Sequence, residues 1–135
     1  MNDDIRAIFT DTVLGTLATV NADGSPWATA LHVVADDEAV YWFSSEMVQH
    51  SQNIVRDGRA SLSVFSPDES QGPTGVYLNG SVETLDDAGR SAAYVLAERR
   101  IGTLPPSFAA ATGYRLRFGD LDTQKSRGRC WYFYS

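Results

Sequence analysis

The chain carries six or seven strand-like runs in 135 residues, and the first four of them have only one helix among their three connections. That spacing constrains the fold more than any other feature. Parallel neighbours need a crossover of a dozen or more residues, usually helical, whereas antiparallel neighbours need only a turn. The run Gly15-Thr16-Leu17-Ala18-Thr19-Val20 is broken by Asn21-Ala22-Asp23-Gly24, and a strand pattern resumes from Trp27 to Val34. A third run covers 39–44, and a fourth, 59–65, alternates Ala60, Leu62 and Val64 against polar neighbours. A doubly wound sheet is therefore excluded. The expected class is α+β, mainly β: an antiparallel β-barrel with helical decoration.

The remaining segments fit around that sheet. Residues 2–13 place Ile5, Ile8, Phe9 and Val13 at helical spacing. A second helix is expected over 45–57, with Met47, Ile54 and Val55 as core contacts and the Ser44-Ser45 hydroxyls suited to its N-cap. The stretch 66–75 reads as a loop. The longer strand 75–85 contains Gly80, and a glycine inside a strand marks a bulge or a close backbone approach. Asp86-Asp87 caps a helix over 87–101 that ends in Arg99-Arg100, charges that complement the helix dipole. Pro105-Pro106 opens a short helix to about 112, and 114–118 and 130–134 read as final strands. With no repeat, low-complexity tract or long linker, residues 1–135 read as one domain.

Charge and composition narrow the function. A net charge of −6 disfavours nucleic-acid binding, which needs clustered Lys and Arg. No apolar run approaches the ~20 residues that span a bilayer, so no membrane association is expected. The opening Met1-Asn2-Asp3-Asp4 is acidic where a secretory signal is basic, and the single cysteine, Cys130, allows no internal disulfide, so a cytoplasmic protein is expected.

Protein-only catalysis has little support. There is no Gly-x-Ser-x-Gly elbow, the two histidines His32 and His50 match no familiar metal-ligand spacing, and the carboxylates cluster at turns such as Asp36-Asp37-Glu38. Gln49-His50-Ser51-Gln52-Asn53 stands out as a run of uncharged polar residues near a helix start just after a strand. Free backbone N–H groups and the helix dipole make such a place an anion seat. The strand aromatics Trp27, Trp42, Phe43, Tyr77, Trp131, Tyr132, Phe133 and Tyr134 read mostly as core and interface packing.

In order, Leu17-Ala18-Thr19-Val20, Asp23-Gly24-Ser25-Pro26, Val40-Tyr41-Trp42-Phe43-Ser44-Ser45, His50-Ser51-Gln52-Asn53-Ile54 and 75–83 resemble the flavin-binding split-barrel family typified by pyridoxamine 5′-phosphate oxidase. The resemblance implies a six-stranded antiparallel split β-barrel with peripheral helices, a homodimer, and FMN at the dimer interface. Carried over by position, it implies that Thr29, Ala30, Leu31 and His32 line the flavin and that Phe43 and Ser44 meet its phosphate side. Gln49, His50 and Ser51 then stand at the phosphate clamp. The family's Arg-Lys clamp is Gln49-His50 here, the arginine expected near Thr29 is missing, and the substrate lysine of the true oxidases falls on Val34. These departures argue against pyridoxal phosphate synthesis. The expected function is an FMN-dependent oxidoreductase acting on a small molecule. A non-catalytic flavin or haem carrier or redox sensor, and an enzyme using a deazaflavin, remain as alternatives.

Overall fold

The computed structural model describes residues 1–135. Strands β1 (Leu14–Val20) and β2 (Pro26–His32) form a hairpin in unbroken register from Leu14↔His32 to Val20↔Pro26. Its turn is made as the sequence suggests. Asn21 N–H donates to Ser25 O at 2.8 Å, Gly24 N–H donates to Asn21 O at 2.9 Å, and Gly24 takes φ 87°. Asp23 Oδ1 accepts the Ser25 N–H at 2.9 Å, and this bonding to Ser25 lowers the Asp23 pKa.

The chain then changes partners at one residue. Val33 still donates its N–H to Val13 O at 2.8 Å, but β3 (Val34–Ala35) pairs with β4 (Ala39–Ser44). After helix α2 (Gln49–Arg56) come β5 (Arg59–Phe65), the eleven-residue β6 (Thr74–Thr84), helix α3 (Asp87–Ile101), a 3-10 turn (Pro106–Ala110), β7 (Thr112–Arg117), β8 (Asp120–Leu121) and β9 (Arg129–Tyr134). A first helix, α1 (Asp3–Asp11), is capped by Asn2 Oδ1, which accepts the Ile5 N–H at 2.8 Å.

The strand order is β2-β1-β5-β6-β7-β4-β3, with β9 beside β6 and β8 beside β9. Strand β6 joins two half-sheets: Gly75–Ser81 pairs with β5, and Val82–Thr84 pairs with β7. Since β2 runs into β3 through Val33 alone, the two ends of the strand order are one stretch of chain and the sheet curls into a barrel. The six-strand expectation is corrected: seven strands lie on the path and nine in all. One expected run is cut at Val33, and β8 adds a pair of residues within a segment expected to be loop. The all-antiparallel expectation is corrected too, because β9 runs parallel to β6 from Thr74↔Arg129 to Asn79↔Tyr134.

Inward positions alternate along the strands and fill the barrel. Leu17, Leu62, Leu78 and Leu116 are almost wholly buried, each worth ~1.5–3 kcal/mol of transfer free energy. Helix α1 adds Ile5, Ile8 and Phe9, the last edge-on to Phe118 at 5.8 Å. Helix α3 covers the outer face of β3 and β4, packing Ala93 and Ala97 against Val34, Ala39, Tyr41 and Phe43. Gly80 is the close approach its place in the strand implied: a side chain there would meet Ser135, whose Cβ would lie 3.2 Å away.

Helix α2 departs from expectation at its start. It begins at Gln49, not at residue 45, because Ser44 completes β4 and Ser45 Oγ accepts the Met47 N–H at 3.2 Å in a turn. Its buried side is His50, Ser51, Asn53 and Ile54, which leaves Met47 81% and Val55 84% exposed rather than in the core.

Candidate cofactor site

Pairing parity locates an opening in the barrel wall. Val33 N–H bonds Val13 O and Asn21 N–H bonds Ser25 O, so along β2 the main chain of Trp27, Thr29 and Leu31 faces β1. The backbone N–H and C=O groups of Ala28, Ala30 and His32 therefore face away from β1, along an edge with no partner strand. On the other side, β3·β4 pairing stops at Val34↔Tyr41. Continued pairing would set His32 opposite Phe43, but β2 turns away to β1 and the barrel is split there. The split is a strip of unpaired main-chain donors and acceptors between two rigid strands.

One end of the split is closed by α2. No side chain caps that helix at Val48, and the first-turn N–H groups of Gln49, His50 and Ser51 have no partner. His50 Nε2 lies 2.8 Å from Ser44 Oγ, so a hydroxyl at the end of β4 and an imidazole in the first helical turn converge. His50 is 7% exposed, and burial lowers its pKa below the ordinary 6.5. Burial therefore favours the uncharged ring. The Ser51 hydroxyl is fully buried without a hydrogen-bond partner.

The rest of the polar run braces the helix. Asn53, fully buried, donates from Nδ2 to Thr19 Oγ1 at 3.0 Å and to Asn21 Oδ1 at 2.9 Å. Its Oδ1 accepts from Gln49 Nε2 at 2.9 Å and from Arg56 Nη1 at 3.3 Å. Arg56 also donates to Val20 O. Gln49 is thereby tied to the β1–β2 turn and is not free for a ligand through that amide. The strut fixes α2 against the hairpin, and with it the position of His50.

On the outer face, the 3-10 turn lays Phe108 across the split. Its ring centroid is 6.2 Å from His32 and 5.6 Å from Phe43. Phe43 also meets Tyr94 edge-on at 5.9 Å. His32 is exposed and its imidazole makes no hydrogen bond.

The expected cofactor residues thus fall into two groups on either side of the opening. Ser44, His50 and Ser51 belong to the helix end. Ala30, His32 and Phe43 belong to the outer face, while Thr29 and Leu31 turn inward and Leu31 packs on the barrel core. Phe108 was missed: Pro105-Pro106 marks the turn that carries it, but no periodicity shows that it reaches back 65 residues to Phe43. Hydroxyl, imidazole and free backbone N–H groups are a donor set that suits a phosphate monoester, and the orphaned Ser51 hydroxyl lies in the same turn. The donor set fits, although no arginine or lysine faces it.

Comparison with curated proteins finds no match. Among solved structures, the chain is similar to a haem-binding protein from Mycobacterium smegmatis at 26% identity and TM-score 0.65, covering 84% of this chain and 49% of that one. The chain therefore spans about half the length of that protein. It is similar to an F420 reductase at 26% identity and TM-score 0.64, covering 83% of this chain and 90% of that one. The conserved hypothetical protein Rv2991 from Mycobacterium tuberculosis shares the fold at 24% identity and TM-score 0.71, covering 86% and 79% of the two chains. The family model described as pyridoxamine 5′-phosphate oxidase matches residues 1–118. A split between β2 and β4, an uncapped helix start beside it and a match over most of the length together mean that the chain belongs to the pyridoxamine 5′-phosphate oxidase-like family.

Proposed function

We propose that this protein binds FMN in the split and serves as a flavin-dependent oxidoreductase, working as a homodimer in the cytoplasm. The observation that carries the reading is the Ser44–His50 pair at the free N-terminus of α2, next to an unpaired strand edge. A phosphate monoester at the helix end would accept from Ser44 Oγ, the His50 ring and the first-turn N–H groups. The unpaired groups of Ala28, Ala30 and His32 are suited to the polar edge of a flat heterocycle. FMN would supply the redox chemistry when bound, and the chain's part is to bind it, orient it and limit its contact with water. No side chain here is assigned as acid or base. The outer face of β2, β1, β5 and β6 is covered by no helix and carries small side chains such as Ala28, Ala30, Ala18, Ser61 and Ser63, a surface suited to close packing against a second copy.

Titration with FMN and riboflavin tests the reading. His50→Ala should weaken FMN by ~1.5–3 kcal/mol, the range for a hydrogen bond to a charged group, and leave riboflavin almost unchanged. Ser44→Ala should do the same more mildly. A phosphate next to His50 raises its pKa above the depressed value of the free protein, so binding takes up a proton and FMN affinity falls as pH rises between the two pKa values. Equal losses for the two flavins would place the phosphate elsewhere, and the absence of any flavin binding would remove the proposal. Light scattering that gives a clean monomer would remove the homodimer.

A second reading rests on His32. Its exposed, unbonded imidazole beside Phe108 and Phe43 would be available to ligate a haem iron. Tight haemin binding with a Soret band that His32→Ala abolishes, and no flavin binding, would favour haem. A deazaflavin that displaces FMN competitively at lower concentration would favour that cofactor in its place.

A further inference from the structure

We infer that Arg90 is a positioning residue that holds Phe108 across the mouth of the split, so that the 106–110 turn forms a wall at the ring end of the site. The inference rests on the proposal that a planar cofactor lies in the split. Arg90 projects from the first turn of α3, is half-buried and makes no ion pair. Instead, its Nε donates to Ala111 O at 2.9 Å, and its Nη2 donates to Phe108 O at 2.7 Å and Ala109 O at 3.1 Å. These carbonyls end the 3-10 turn, where partial negative charge collects. The guanidinium also lies over two rings, 5.4 Å from the Phe43 centroid and 5.6 Å from that of Tyr94. One side chain thus joins the turn that carries Phe108 to the Phe43 wall of the split.

Beyond Arg90, the turn is held by Phe108 itself and by Leu104 and Ala111 on either side of it, which pack on the cluster under α3. Pro106, Ser107, Ala109 and Ala110 are exposed, and only Phe108 is half-buried. Its own backbone bonds, Phe108 N–H to Pro105 O and Ala111 N–H to Phe108 O, are internal to it. Gly113 makes room for the arrangement, because a Cβ there would lie 3.3 Å from Arg90 Cγ and 3.4 Å from Phe43 Cε1. A lysine has the charge of arginine but no planar fork with which to reach three carbonyls. The unpaired arginine, the three carbonyls and the ring across the split are one device.

Dissociation rates of FMN and riboflavin from the wild type, Arg90→Lys, Arg90→Met, Phe108→Ala and the Arg90→Lys/Phe108→Ala double variant test it. Each single variant should release both flavins about tenfold faster, by the same factor for each, because the ring end and not the phosphate is affected. The double variant should be no faster than Phe108→Ala alone. Unchanged release in both Arg90 variants, or factors that multiply in the double variant, would overturn the inference. Hydrogen exchange on the cofactor-free protein tests the contact without reference to any ligand. The Phe108 and Ala111 amides should exchange faster in Arg90→Lys while β1 and β5 stay protected, and unchanged exchange would refute the latch. If the wild type binds no flavin, the cofactor proposal fails and the exchange result alone decides the role of Arg90.

Discussion

Replacing Asn53 by alanine removes the brace that seats α2. Asn53 is fully buried, and its amide serves Thr19, Asn21, Gln49 and Arg56 at distances of 2.9–3.3 Å. The bonds to Thr19 and Asn21 contribute ~1 kcal/mol each, and leaving the buried Thr19 hydroxyl without a partner costs ~1 kcal/mol or more. The two bonds at the exposed end add little. The expected loss is about 3 kcal/mol, and since unfolding entropy is ~2.1 cal/mol/K per residue, a chain of this length should melt about 10 °C lower. Urea unfolding followed by circular dichroism measures it, with the midpoint falling and the slope unchanged. Asn53→Leu, which keeps the branched heavy-atom shape but none of the bonds, should lose a similar amount. If Asn53→Ala costs under ~1 kcal/mol, or if Asn53→Leu is as stable as the wild type, the strut is not what holds the helix.

Three further outcomes follow from particular residues. Burial lowers the His50 pKa, so the unfolded chain takes up a proton before the folded one does; stability should fall as pH drops below about 6.5, and a urea series in His50→Gln should show a flatter acid limb. The Tyr41 phenol, buried and donating to Asp36 Oδ2 at 2.8 Å, is pushed up to about 12, so ultraviolet titration should show one tyrosine ionising well after the exposed ones. Gly80→Ala should cost at most ~1 kcal/mol, because the Ser135 hydroxyl in its way can turn aside and only Cβ and O at 3.2 Å remain tight, and Ser135→Gly should restore the loss in a melting assay.

The sequence made local structure legible where a residue's partners lie within a few positions. The Asn21–Gly24 turn, the Asp86 cap on Gly89 N–H and the alternation of Ala60, Leu62 and Val64 all match what their side chains dictate. Ser44 and His50 are set on one side only by the family resemblance; their direct contact depends on the helix starting at Gln49, four residues later than its hydroxyl residues suggest. What stayed hidden depends on closure of the whole sheet. Nothing in Trp27 to Val34 signals a change of partner at Val33, since every residue there suits either edge. The parallel docking of β9 on β6 joins segments 55 residues apart through main-chain bonds that no side chain announces. Arg90 reads as an ordinary helix charge until its carbonyl partners, 18 to 21 residues on, are seen. Val55 looked like core because it is apolar, but the buried side of α2 is set by Asn53 and Ile54, and a residue one step further turns outward.

The single residue between β2 and β3 also limits how this protein can change in length. Because 26–35 is bonded to β1 at one end and to β4 at the other, inserting or deleting one residue within it has no loop to absorb the shift. Either the hairpin slips by one position, exchanging the inward Leu31 for a neighbour, or the β3·β4 pairing does, and both turn side chains inside out. Length variation among related chains should therefore fall outside 26–35, for instance in the stretches before β6 and before β9, where turns carry Gly72 and Gly128 at positive φ. Grafting a longer segment into those two stretches should be tolerated, whereas the strand that borders the split behaves as a fixed ruler.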